Sequence, residues 1–233
     1  MRFSINKPFK SLRFSWKMLA PIIYSALMKG YMNILYTTLT PVFTATFKYI
    51  TDWHFTPGPA GLLFLTIVAG TVLGSFAGYI FLKVERDALR KRVLRGSIKL
   101  LPYLPLAFAL SSLFASAGLI AFGMTVKGGQ IVNPLVATAL AITGTTLGVL
   151  TAEAVMYRTA RGAIAETTHA INFVGSLAGG LFPLIAQGLY LLPSGIVWTN
   201  TISGVGALFI LERVWYWYRN RARITSEMLY PTM

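Results

Sequence analysis

The sequence predicts an all-α membrane protein, a bundle of six transmembrane helices, and three observations predict it. Of 233 residues, 55% are hydrophobic and 12% charged, with a mean hydropathy of +0.62. A soluble domain carries about 25% charged residues. Six apolar runs lie along the chain, each long enough to cross about 30 Å of hydrocarbon as a helix. The basic residues crowd into alternate connections between those runs, as the positive-inside rule requires. A soluble helical bundle needs polar outer faces, which these runs lack. Barrel strands are shorter and alternate polar with apolar residues.

The elements follow in order. A basic segment, 1–17, carries Arg2, Lys7, Lys10, Arg13 and Lys17. The first run, 18–47, contains Pro21, Lys29, Gly30 and Pro41 and a polar band of Tyr31, Asn33, Tyr36, Thr37 and Thr38. The second, 59–82, repeats glycine at Gly70, Gly74 and Gly78, on one helix face. A basic loop, 83–99, holds seven Lys and Arg, with Arg86 and Asp87 among its charges. The third and fourth runs are 101–126 and 131–157; the fourth carries Gly144 and Gly148 four apart, and Glu153 near its end.

The fifth run, 164–192, contains NFVGSLAGGLFPL, with Gly175 and Gly179 four apart, Pro183 as a possible bend and Gln187 beyond it. The sixth, 195–218, ends in ERVWYWYRNR, an interfacial boundary of aromatic and basic side chains, and a tail, 219–233, follows. The bundle thus occupies 18–218. Small-residue faces let helix backbones approach closely, a main source of packing energy in lipid. Tight or sliding contacts and ordinary static packing both fit such faces.

Charge sets the expected topology. Connections on one side hold 18 of the 21 basic residues and those on the other hold two. Both termini are therefore expected in the cytoplasm. The net charge of +14 reads as topology and attraction to anionic lipid, and nucleic acid is not an expected partner. No cysteine is present, so disulfides and thiolate metal sites are excluded. No phosphate loop, zinc-protease helix motif, nucleophile elbow or dinucleotide fingerprint occurs, and neither an enzyme, a cofactor nor a metal is expected. The first run is too long for a signal-peptide core and is expected to be a retained span.

Several stretches together resemble the carboxyl-terminal six-helix half of major facilitator superfamily transporters, of the fungal multidrug and polyamine proton antiporter type. KPFKSLRF resembles the basic end of the central loop that leads into the seventh helix. WHFTPGPAGLLFLTIVAGTVLG resembles the outer loop and eighth helix. THAINFVGSLAGGLFPLIAQGLY, with Trp198 and Asn200 after it, resembles the eleventh helix and the turn beyond. The chain departs from the family at Gly175, near which members often carry arginine. In LKVERDALRKR the order of aspartate and arginine is reversed against the family's loop motif and its inner glycine is missing.

The resemblance implies transport of a small drug-like or cationic molecule, coupled to protons, by alternating access. It also implies twelve helices in two halves. The chain is then a truncated copy or a fragment, or acts with a second six-helix half or as a homodimer; a non-transporting assembly or regulatory subunit is the alternative. The plasma membrane is the expected location, with the vacuolar or another internal membrane as the other. Substrate-contact candidates are Lys29, Tyr31, Asn33, Tyr36, Asn172 and Gln187. Ionisable groups inside a span are costly and mark candidate sites, so Lys29 either holds an anionic group or snorkels to the surface. Glu153 either titrates during coupling or pairs with a loop arginine. Glu166 and His169, three apart at the start of the fifth helix, are either a pH-responsive pair or a structural one. Arg86 and Asp87 are the gating candidates.

Overall fold

The structure is a computed structural model that describes residues 16–44, 61, 63–94, 103–126, 130–159, 164–192 and 194–209. These residues form six helices and no strand: α1 (Trp16–Phe43), α2 (Phe64–Leu94), α3 (Tyr103–Thr125), α4 (Val132–Thr159), α5 (Ile164–Tyr190) and α6 (Gly195–Phe209). Four of them, α2 to α5, are both long and apolar enough to cross a membrane, which makes the chain a multi-pass membrane protein. At 28 residues α1 is long enough too, and it carries Lys29, Asn33 and a series of hydroxyl side chains. The sixth expected span is described only as far as Phe209, and the basic tail lies outside the described residues.

Helix α2 runs on to Leu94, so the basic stretch expected as a loop from Lys83 begins as a helix. Long straight-chain residues such as Lys, Arg, Glu and Leu are good helix formers and continue the preceding turns. Helix α5 passes unbroken through Pro183, and α1 through Pro21 and Pro41. Pro183 lacks an N–H, so the carbonyl of Gly179 loses its helical donor without ending the helix. The turn from α5 to α6 places Ser194 at φ 60° and brings the Gly195 backbone against the Leu189 carbonyl, leaving no room for a side chain there.

At the centre sits α4, packed against α1, α2 and α3. The α2 glycine stripe lies along it in register. Gly70 faces Ala139 and Ile142, Gly74 faces Thr143 and Thr146, and Gly78 faces Leu147 and Leu150. Both helices advance by four, so α2 and α4 run parallel. Thr143 Oγ1 also donates to the Gly70 carbonyl at 3.2 Å across this contact. The closest approach of backbones is between α3 and α4. Gly118 fits against the Ala141 and Ala137 backbone, and Gly144 against the backbone of Ala115, Ser111 and Phe114. Rising numbers on one helix meet falling numbers on the other, so α3 and α4 are antiparallel.

Polar pins join the other helices. The Tyr24 hydroxyl of α1 is buried within hydrogen-bond distance of Ser111 (2.6 Å) and Ser112 (2.9 Å) on α3. Ser116 on α3 donates to the Gly204 carbonyl of α6. Asn200 Nδ2 on α6 donates to the Tyr190 hydroxyl of α5 at 2.8 Å. Such interhelical bonds contribute roughly 0.6 to 1.7 kcal/mol each in a membrane.

Candidate functional site

One ion pair is described within the helices: Lys29 Nζ on α1 donates to Glu153 Oε1 on α4 at 2.9 Å. Helical geometry brings the two together. Side chains lean toward the N-terminus of their own helix, and α1 and α4 are antiparallel, since alternate helices of the bundle reverse direction. Lys29 and Glu153 therefore lean toward one another. Both side chains remain about one-fifth exposed, at 20% and 23%. The loop arginines considered as partners of Glu153, Arg158 and Arg161, lie outside the described side chains.

Helix α5 forms the other wall. A Cβ added at Gly175 lies 2.8 Å from Lys29 Cδ, and one at Gly179 falls against Asn33 Nδ2. Both glycines step by four, as do Lys29 and Asn33, so α1 and α5 run parallel in this contact. The two α5 glycines thus lie on the face that packs closely on α1 and make room there for its long polar side chains. Of the fourth-helix glycines, Gly144 faces α3, while Gly148 faces Tyr24 and Met28 of α1.

Around the pair runs a polar strip. On α1, Lys29 shares a face with Asn33, Tyr36, Thr37 and Thr40, and Thr37 is exposed. On α5, His169, Asn172, Ser176 and Gly180 recur every three or four residues beside the face that meets α1, and all are exposed. The sequence-selected Lys29 and Glu153 are thereby brought together, with Asn33 one turn along α1 and Tyr36 and Asn172 on the adjoining faces. Tyr31 is not among them. It is buried at 6% and its ring packs on Phe182, centroids 5.7 Å apart, because a two-residue offset from Lys29 turns it to the opposite side of α1. Gln187 is exposed on α5, twelve residues past Gly175 and so roughly 18 Å further along the helix axis.

Arg86 and Asp87 are exposed on α2, whereas Glu85 beside them is buried at 4%. Sequence reasoning missed Glu85; three consecutive charges on a helix point in different directions, and Glu85 is the one turned toward the bundle. The side chain of Glu166 lies outside the described residues, so its pairing with His169 does too. No group of metal-ligating side chains gathers among the described residues.

The chain is similar to several fungal transporters over almost its full length. It is 24% identical over 230 residues to MFS transporter cpaT of Aspergillus oryzae, covering 96% of this chain and 44% of that protein. It is 25% identical over 234 residues to MFS-type transporter penM of Penicillium rubens, covering 97% and 43%. To MFS transporter eqxG of Fusarium heterosporum the identity is 27% over 231 residues, covering 96% and 44%. The chain therefore spans less than half the length of these curated relatives. No family model and no solved structure matches it. From end to end, then, this six-helix chain resembles just under half of a fungal major facilitator transporter.

Proposed function

We propose that the chain is a six-helix unit of a major facilitator transporter and that it moves a drug-like organic molecule across the membrane by proton-coupled alternating access. The observation that carries this reading is the Lys29–Glu153 pair, a partly exposed ion pair between membrane helices with a polar strip beside it. Charges within a membrane span are expensive and mark a pathway or relay. The similarity to transporters named as MFS members supports the same reading.

In this mechanism the strip is one wall of the substrate path, and a second six-helix unit or a second copy of the chain forms the opposing wall. Rocking of one bundle against the other exposes the path to each side in turn. Both termini face the cytoplasm, and the plasma membrane or an internal membrane such as the vacuolar one is the place of action.

The test is uptake by liposomes that contain only this chain, with an imposed proton gradient and with rhodamine 6G and fluorescein as cationic and anionic probes. The mass in detergent is measured beside it. Accumulation of a probe that stops when a protonophore collapses the gradient is expected. Uptake no greater than that of empty liposomes overturns the chain as a transporter on its own and favours an assembly or regulatory subunit.

A further inference from the structure

We propose that the outward face of α2 is a site for an anionic phospholipid, with an acyl chain along Val68, Val72 and Phe76 and the headgroup phosphate between Lys83 and Arg86. The site lies apart from the Lys29–Glu153 pair, and the proposal does not depend on the transport reading.

Three observations lead there. First, one continuous face of α2 changes from apolar to basic. At about 100° per residue, positions 65, 68, 72, 76, 79, 83 and 86 fall within about 80° of one another around the helix axis. The first five are Leu65, Val68, Val72, Phe76 and Tyr79, each 55% exposed or more. The last two are Lys83 and Arg86, also exposed. The glycine face that packs on α4 lies on the opposite side, and Glu85 is buried there. The bundle therefore leaves this stripe to its surroundings.

Second, the change falls at the membrane boundary. Residues 64–82 carry no charge and cover about 28 Å of axis, close to the ~30 Å of a hydrocarbon core. Lys83 and Arg86 therefore come at the depth of the lipid headgroups. They are three residues and so about 4.5 Å apart along the axis, a gap that one phosphate bridges. Third, Lys83 bends back toward the membrane. Its Nζ lies 5.9 Å from the centroid of the Tyr79 ring, one turn earlier, in a cation–π contact. A lysine that only sought water would extend away from the hydrocarbon. Here the ammonium stays beside the end of the apolar stripe, where the phosphodiester of a lipid sits.

The surrounding charges select the headgroup. Residues 83–92 hold five basic side chains against two acidic ones. Of the acids, Glu85 faces the bundle. Asp87 is exposed at the edge of the stripe, four residues after Lys83, and no ion pair between these two is described. A headgroup with net negative charge is attracted to such a cluster at the end of a span. A zwitterionic headgroup brings its own cation among the basic side chains.

Lipid retention by the purified chain in detergent is measured by native mass spectrometry, with phosphatidylserine against phosphatidylcholine of the same acyl chains. Wild type is expected to bind phosphatidylserine roughly tenfold more tightly. Lys83→Gln/Arg86→Gln is expected to bring the two lipids to parity. Lys7→Gln/Lys10→Gln, with the same loss of net charge, is expected to keep the preference. Glycerophosphoserine, the headgroup without its chains, is expected not to displace the lipid at equal concentration. Equal binding of the two lipids by wild type, equal loss in both double variants, or displacement by the soluble headgroup overturns the proposal. In liposomes, phosphatidylserine with a photoreactive headgroup is expected to crosslink to residues 79–90 of the wild-type chain, which decides the matter even if a variant does not fold. No adducts there, in particles that hold two copies of the chain, overturns the lipid and gives the face to a second copy.

Discussion

Gly144→Leu is expected to prevent α3 and α4 from packing. A Cβ at Gly144 falls against the Ala115 nitrogen, with the Ser111 carbonyl oxygen at 2.6 Å and the Phe114 carbonyl carbon at 2.8 Å. These are backbone atoms and cannot rotate away as a side chain can. Any side chain at 144 must push the helices apart, and leucine adds three further carbons to the same gap. Overpacking a core typically costs about 1–3 kcal/mol, and a backbone obstacle places this site at the top of that range or above. The separation also loosens the reciprocal contact of Gly118 with Ala141. The variant is expected to lose most of its monodisperse peak in gel filtration, or to unfold at a clearly lower temperature. Gly180→Leu is the control, since nothing lies within 4 Å of its Cβ position. Equal behaviour of the two variants would contradict this packing of α3 on α4.

Lys29→Met and Glu153→Gln are each expected to destabilise the bundle, and the double variant to recover most of the loss. Removing one partner leaves a lone charge among apolar helices, at a cost of roughly 3–5 kcal/mol for a fully buried pair. The Lys29–Glu153 pair is about one-fifth exposed, which lowers the expected cost to about 1–3 kcal/mol. Replacing both partners removes the desolvated charges altogether and is often neutral or stabilising. Thermal unfolding of the four proteins forms a double-mutant cycle, and a coupling energy of 0.5 kcal/mol or more, of the order found for residues in contact, is expected. Additive losses would mean that the two side chains do not meet.

Much of this architecture was legible in the sequence because it rests on local rules. Length and hydropathy mark the long helices, and the four-residue spacing of Gly70, Gly74 and Gly78 marks a face that does pack on a neighbour. The partner of each face was not legible, because it depends on how six helices are arranged in space. Lys29 and Glu153 each stood out as a charge in an apolar run, but they lie 124 residues apart, and only the antiparallel packing of α1 on α4 joins them. The Gly175 and Gly179 pair marked a packing face, but that Lys29 and Asn33 are the side chains seated on it was not legible. The closest backbone approach, of α3 on α4, involves Gly144, which its spacing with Gly148 marks, and Gly118, which no glycine repeat announces. Its signal is the series Ser111, Ala115 and Gly118, small residues at helical spacing that include more than glycine. Tyr31 could have been separated from Lys29 by spacing alone, since two residues turn a helix by about 200°. Burial of Glu85 depends on which side of α2 meets the bundle, and that is a tertiary fact.

The most direct test of the account is whether the strip of α1 and α5 faces water within the membrane. The chain contains no cysteine, so single cysteines can be placed without background. Asn33→Cys and Ser176→Cys sit on the strip, and Phe76→Cys sits on an exposed apolar face of α2. Each is treated in intact membranes with a membrane-impermeant, water-soluble maleimide, because only a thiol that meets water forms the reactive thiolate. The account predicts labelling at positions 33 and 176 and little or none at 76. Strip cysteines as inert as the one at 76 would show that Lys29 and Glu153 lie in a dry contact between helices, and the substrate path would not be there.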